Sequence, residues 1–196
     1  MSIVTLVSGG LDSTLMAVLA QEEKIVQFPL FIDYGQINKD KELSACLSNF
    51  KRHDLPIPKI VQLSGYGALL SSGLTDPNKR IFEDAFLPCR NLLFLTIGAA
   101  YAYQCNANAV AIGLLNEAFS IFPDQTEAFV RDTESLVSKS LGHSIQILTP
   151  LMSFSKAEVV RVAKLKGVNK TYSCHAGTEK PCGVCVACRE YLGLEV

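Results

Sequence analysis

The chain has 196 residues, 48% of them hydrophobic, which is enough apolar material for one full core and too little length for two ordinary domains; a single domain over 1–196 is expected. A net charge of −1 provides no concentrated basic face, so no nucleic-acid partner is expected. The apolar runs at 92–102 and 107–115 are too short or too interrupted by Gly and Asn to span a bilayer, and the opening residues lack the pattern of an export leader, which predicts a cytoplasmic protein.

In chain order, the β-branched apolar run 2–7 predicts a strand. Leu15, Val18 and Leu19 then share one face of a helix over 12–21. A second buried strand is expected over 25–32, closed by Asp33, Tyr34 and Gly35, and Leu43, Cys46, Leu47 and Phe50 recur at helical spacing. Residues 59–63 suit a short third strand. The stretch 64–88, rich in Gly, Ser, Asp and Pro, reads as a loop long enough to form a lid. Residues 90–104 read as a buried helix and 109–113 as a strand. Asp124 and Glu127 have the N-cap and N3 spacing of a further helix whose apolar stripe is Phe129, Leu136 and Val137. After a last strand at 145–148, Ser155 and Glu158 form a capping-box pattern flanked by Phe154 and Val159, and Gly167 ends that helix. Strands alternating with helices predict an α/β, Rossmann-like fold, a parallel sheet with helices on both faces.

Four of the seven cysteines fall in the last 23 residues. Cys174, Cys182, Cys185 and Cys188 form C-x7-C-x2-C-x2-C, a soft tetrahedral donor set suited to Zn²⁺, with Gly177 and Gly183 allowing the chain to wrap. A closed four-thiolate shell leaves no position for substrate, so the metal would pin the C-terminal tail. An iron–sulfur cluster draws on the same ligands and stays open as the alternative. Cys46 and Cys105 read as core residues. Cys89 reads either as core or as a reactive thiol beside Arg90 at a helix start. His175 adjoins a ligand and either orients that loop or is exposed; His53 and His143 read as surface residues.

Residues 7–14, VSGGLDST, lie where the first strand of a parallel sheet opens onto its crevice. Gly9 and Gly10 permit converging N–H groups, Ser8, Ser13 and Thr14 offer hydroxyls, and the following helix adds a favourable dipole. The string is neither a Walker loop nor G-x-G-x-x-G, so from these residues alone a plain turn and a phosphate cradle stand about even.

The literal string Ser8, Gly9, Gly10, Leu11, Asp12, Ser13 is similar to the S-G-G-x-D-S pyrophosphate loop of the N-type ATP pyrophosphatases. Together with Asp33-Tyr34-Gly35-Gln36, Arg90-Asn91 opening a leucine-rich helix, Ser155-Lys156, and the cysteine tail, it makes the whole chain resemble the 7-cyano-7-deazaguanine synthase family. The resemblance implies an adenine-nucleotide alpha-hydrolase-like fold with a C-terminal zinc-binding tail, cofactors ATP, Mg²⁺ and Zn²⁺, and a homodimer. It implies an ATP-dependent carbon–nitrogen ligase that adenylates the carboxylate of a deazapurine, 7-carboxy-7-deazaguanine, for attack by ammonia.

By the same resemblance, Ser8, Gly9, Gly10, Leu11, Asp12, Ser13, Thr14, Asp33, Tyr34 and Gln36 would bind the nucleotide. Arg90, Asn91, Gly113, Ser120, Asp124 and Lys156 would bind substrate, with Asp12, Ser13 and Arg90 in catalytic roles and the four cysteines on the metal. Taken by themselves, Arg90 also suits a helix-start salt bridge, and Lys156 a solvent-facing position. The chain departs from the family where it usually reads G-V-N-x-x-D-x-S-G-Y-P-D-C: Ser120, Pro123 and Asp124 agree, whereas Leu115, Ala118, Ile121, Phe122 and Gln125 differ. Cys89 stands where the family usually has Gly, and Asn38 near its usual His. These differences leave the exact base and the nitrogen acceptor open. The alternatives are a diverged relative that passes the acyl group to an amine of a protein acceptor, as in bacterial antiviral defence, a tRNA-modifying enzyme with the same loop, and a non-catalytic nucleotide-binding subunit.

Overall fold

The computed structural model describes residues 1–81, 85–116, 118 and 121–194. Its centre is a five-stranded sheet built from β1 (Ser2–Val7), β2 (Val26–Asp33), β3 (Lys59–Gln62), β4 (Ala109–Ala111) and β5 (Gln146–Leu148) in the order β3-β2-β1-β4-β5, every neighbouring pair parallel. From β1 the chain runs outward through β2 and β3, then crosses to the other side for β4 and β5. Connections on either side of β1 therefore leave in opposite directions, and a crevice opens at the carboxyl ends of β1 and β4.

Side-chain alternation along the strands splits the core into two layers. Ile3 and Val7 of β1 and Phe31 of β2 pack in one apolar cluster with α1 (Leu11–Glu22), α2 (Lys39–Arg52) and α6 (Lys156–Leu165). Val4, Leu6, Leu30 and Ile32 face the opposite way, joining α4 (Arg90–Gln104) and α5 (Glu127–Leu141). Helices thus cover both faces of the sheet. Within the expected loop at 64–88, α3 (Ser64–Leu69) forms a short helix, and α7 (Val186–Arg189) lies in the cysteine tail.

Several local expectations need correction. The helix after Asp124 is capped by Thr126, whose hydroxyl accepts from the Phe129 N–H, while Asp124 lies in a separate 3-10 turn, Pro123–Gln125. Thr126 prevails because Asp124 is already engaged with Asn91. The capping box of Ser155 and Glu158 forms as expected. Cys46 is fully buried, but Cys105 at the end of α4 is only partly so. Among the described residues no helix is long and apolar enough to cross a membrane.

Candidate active site

Three residues, 8–10, turn the chain from β1 into α1. Gly9 has φ +83°, and a Cβ there would stand 2.1 Å from the Glu42 carbonyl oxygen of α2, so a side chain would push that helix away. The turn is held before any ligand arrives: the Ser8 N–H donates to Ser13 Oγ at 3.1 Å, the Thr14 hydroxyl to the Gly10 carbonyl at 2.8 Å, and the Tyr172 N–H to the Gly9 carbonyl at 3.0 Å. No side chain caps the N-terminus of α1. The positive end of its dipole and its first-turn N–H groups are left for an anion.

Above this loop lies a cavity of about 250 Å³ at the carboxyl ends of the central strands. Leu6, Leu30, Ile32 and Phe94 give it an apolar wall, and Tyr34, Gln36 and Glu42 close one end. A second cavity of about 170 Å³, with Leu115, Asn116, Ile121, Phe122 and Val186 on its wall, adjoins it. Asp12, Arg90, Gly113 and Lys156 border both. A Cβ on Gly113 would come within 3.3 Å of the backbone at Asp12 and Ser13, so glycine lets the chain after β4 approach the start of α1 closely.

Lys156, like Arg90, is a cation at this shared wall. As the first residue of α6 it reaches Asp12 through both carboxylate oxygens, at 2.9 and 2.8 Å, reaches Glu190 at 2.9 Å, and lies 4.7 Å above the Tyr191 ring. Its side chain is 13% exposed, which excludes the solvent-facing reading. Burial alone would lower its pKa, but Asp12, Tyr191 and Glu190 outweigh that and raise it, so Lys156 stays charged.

Beneath the loop, Glu42 takes one amide N–H on each oxygen, from Gln36 Nε2 at 3.1 Å and Asn38 Nδ2 at 3.0 Å. Burial pushes its pKa up to about 7 against these hydrogen bonds and the nearby Arg90 charge. Asn38 also donates to the Cys174 carbonyl at 3.1 Å and so joins α2 to the cysteine tail. Burial raises Tyr34 to about 12, which keeps its phenol protonated. His175, expected to orient its loop or to be exposed, instead borders both cavities. Burial and Arg90 lower it to about 4, so it is neutral at pH 7.

The residues singled out from sequence divide by place. Ser8, Gly10, Asp12, Ser13, Tyr34, Gln36, Arg90, Asn91, Gly113 and Lys156 line the first cavity. Gly9, Leu11 and Thr14 support the loop from below, and Asp33 accepts from the Gly35 N–H at 3.1 Å and pairs with Lys39. Asp124 lines neither cavity; it anchors Asn91, accepting its backbone N–H at 3.3 Å and its side-chain N–H, through the Asp124 carbonyl, at 2.9 Å. Ser120 lies outside the described residues. Glu42, Glu190, Tyr191 and Tyr172 were not legible as site residues. The one available signal was the closeness of Glu190 and Tyr191 to the last cysteine.

Behind the cavity, the Sγ atoms of Cys174, Cys182, Cys185 and Cys188 all lie within 4.8 Å of one another. Tetrahedral Zn²⁺ with bonds near 2.3 Å sets its sulfurs roughly 3.8 Å apart, and the Cys182 and Cys188 sulfurs are 3.9 Å apart. The Cys182 N–H donates to the Cys174 sulfur at 3.3 Å, and the Cys185 and Cys188 N–H groups donate to the preceding cysteine's sulfur at 3.4 Å. Such bonds favour thiolates, so the donor set fits a divalent soft metal.

Comparison with known proteins agrees with this geometry. Residues 2–192 match the family model described as "Queuosine biosynthesis protein QueC". A 7-cyano-7-deazaguanine synthase of Acetivibrio thermocellus is 34% identical over 94% of this chain and 88% of its own length. One from Prochlorococcus marinus is 32% identical over 96% and 90%. Among solved structures, the NMN synthetase of Francisella tularensis superposes with a TM-score of 0.56 at 16% identity, covering 99% of this chain and 72% of that one, a likeness of fold. The chain belongs to the QueC family and is an ATP-using synthase of that kind.

Proposed function

We propose that this single-domain protein is an AMP-forming ligase that activates the carboxylate of 7-carboxy-7-deazaguanine, or a closely related base, and transfers the acyl group to ammonia. The observation that carries the reading is the meeting of two cavities at one wall of Asp12, Arg90 and Lys156. The larger, with its apolar wall and phosphate loop, suits ATP; the smaller suits the base. A carboxylate oxygen entering from the smaller side attacks the α-phosphorus and pyrophosphate leaves along the loop. Ammonia then displaces AMP and loses a proton to give the amide. The amide oxygen then attacks the α-phosphorus of a second ATP, pyrophosphate leaves, and loss of AMP and both amide N–H protons gives the nitrile.

The protein's part is charge and position. Arg90 offers a fork for the α-phosphate or the substrate carboxylate, Lys156 a fixed positive charge, and the Ser8 and Ser13 hydroxyls with the α1 N-terminus hold the departing pyrophosphate. The Asp12 carboxylate beside these hydroxyls is a hard-oxygen donor set suited to Mg²⁺, which would neutralise polyphosphate charge. The four cysteines would hold Zn²⁺ in a structural role. The test is incubation with ATP, Mg²⁺, ammonium and the deazapurine acid, followed by mass spectrometry. AMP with an amide or nitrile is expected, and no AMP at any ammonium concentration refutes the reading.

One observation favours a protein amine as the acceptor instead. Beside the smaller cavity lie exposed apolar side chains: Ile121 of its wall is 61% exposed, and Phe86, 42% exposed, has its ring tilted 5.2 Å from that of Phe122. A mass increase on an added partner, absent with ammonium alone, would identify that route. The family resemblance further supports a cytoplasmic homodimer, which sedimentation and fractionation would test.

A further inference from the structure

Lys156 is shared by two carboxylates from opposite ends of the chain. Asp12 belongs to the phosphate loop, and Glu190 comes from the cysteine tail, yet both stand within 2.9 Å of the same ammonium. A lysine paired with Asp12 alone would have to follow that carboxylate whenever it turned to a cation carried by the nucleotide. The other course would leave a largely buried charge without a partner, which is costly.

We propose that Glu190 is a positioning residue that holds Lys156 at the boundary of the two cavities while Asp12 engages the nucleotide; this rests on the adenylation reading above. The surroundings of Glu190 fit the role. Its side chain is 41% exposed, so the ion pair contributes little to folding, yet it borders both cavities. Its backbone is set by the cysteine segment: the Glu190 N–H donates to the Val186 carbonyl at 3.3 Å, and the flanking Arg189 and Tyr191 N–H groups donate to the carbonyls of Cys185 and Cys188 at 3.0 and 3.2 Å. Tyr191, whose hydroxyl lies 3.4 Å from Ser173 Oγ, places its ring against the ammonium. Lys156 is thus bounded by Asp12, Glu190 and Tyr191. The cysteine tail then does more than close the fold, because it delivers the second anchor of the active-site lysine.

The test compares the wild type with Glu190→Gln, Glu190→Asp and Lys156→Ala, in full kinetics and in ATP binding by calorimetry. Losing one charge-assisted hydrogen bond at the lysine should lower kcat for Glu190→Gln about tenfold. The KM for ATP should stay level or fall, since a site for a polyanion has lost a negative charge. Glu190→Asp, which keeps the charge, should recover part of kcat. Thermal midpoint and zinc content should match the wild type, and ATP binding should weaken in Lys156→Ala but not in Glu190→Gln. Unchanged turnover in Glu190→Gln overturns the proposal, as does a fall in kcat accompanied by raised KM and a lowered thermal midpoint. A wild type that releases no AMP fails the adenylation reading itself. With AMP released, a normal Glu190→Gln removes this inference alone.

Discussion

The two cavities are built differently. The larger, proposed for the nucleotide, is walled mainly by residues at the ends of regular elements: the turn from β1 to α1, the last residues of β2, and the first residues of α4 and α6. The smaller, proposed for the base, is walled largely by the connection 113–125 and by α7 with the residues that flank it. Strand and helix ends are fixed by core packing, so charge at the phosphate loop is held in place by the whole sheet. The connection is held by local bonds, chiefly the Gln125 side-chain carbonyl accepting from the Ile121 and Phe122 N–H groups at 3.0 and 3.1 Å. On the proposed reading, activation chemistry would sit on the rigid half, and the choice of base on the half free to diverge.

The largest expected effect is at the rigid half. Asp12→Asn should slow AMP formation at least a hundredfold with the circular dichroism spectrum preserved; turnover near the wild-type rate would remove Asp12 from the reaction. Next is the tail that borders both cavities. Cys185→Ser, at a fully buried sulfur that also caps α7, should release the metal and cost at least tenfold in activity. Metal analysis should change from about one zinc per chain to almost none, and iron in the wild type would favour the cluster alternative.

On the base side, Gln125→Ala, at a residue that borders both cavities, frees the N–H groups of Ile121 and Phe122, which wall the smaller cavity alone. It should raise KM for the deazapurine acid about tenfold while KM for ATP changes less than about twofold. Equal changes in both constants would mean that the two cavities do not divide the work.

Smaller effects separate support from chemistry. The folded protein holds the Glu42 proton up to about pH 7, whereas the ordinary value is 4.5. This group therefore favours folding most fully below the lower value, and the advantage is lost as pH rises towards the higher one. Denaturant midpoints from about pH 5 to about pH 8 should fall in the wild type relative to Glu42→Gln; parallel curves would show that Glu42 ionises normally. Cys89, at φ +60° before α4, holds a left-handed conformation that glycine adopts at less cost. Cys89→Gly should stabilise the fold by about 0.5–1 kcal/mol, measured by chemical denaturation.

Much of this was legible in advance for a physical reason. Periodicity reports which side chains meet a core, so the alternation of strands and helices, the Ser155 cap and the strand-to-helix turn at Gly9 could be read locally. The helix start after Asp124 could not, because the choice between Asp124 and Thr126 was made by Asn91, 33 residues away. Glu42 resembled any helix-surface acid until Gln36 and Asn38 folded over it.

By itself, the sequence determined the glycine–serine loop, the cysteine set and the family, since each depends on residue types at short fixed spacings. Tertiary structure alone decided that Lys156 faces inward, that His175 borders the reaction space, and that Glu190 meets a residue 34 positions earlier in the chain. Those placements arise from the sheet order, which brings the end of β1, the start of α6 and the cysteine tail to one crevice, and such long-range closure leaves no periodic trace in the chain.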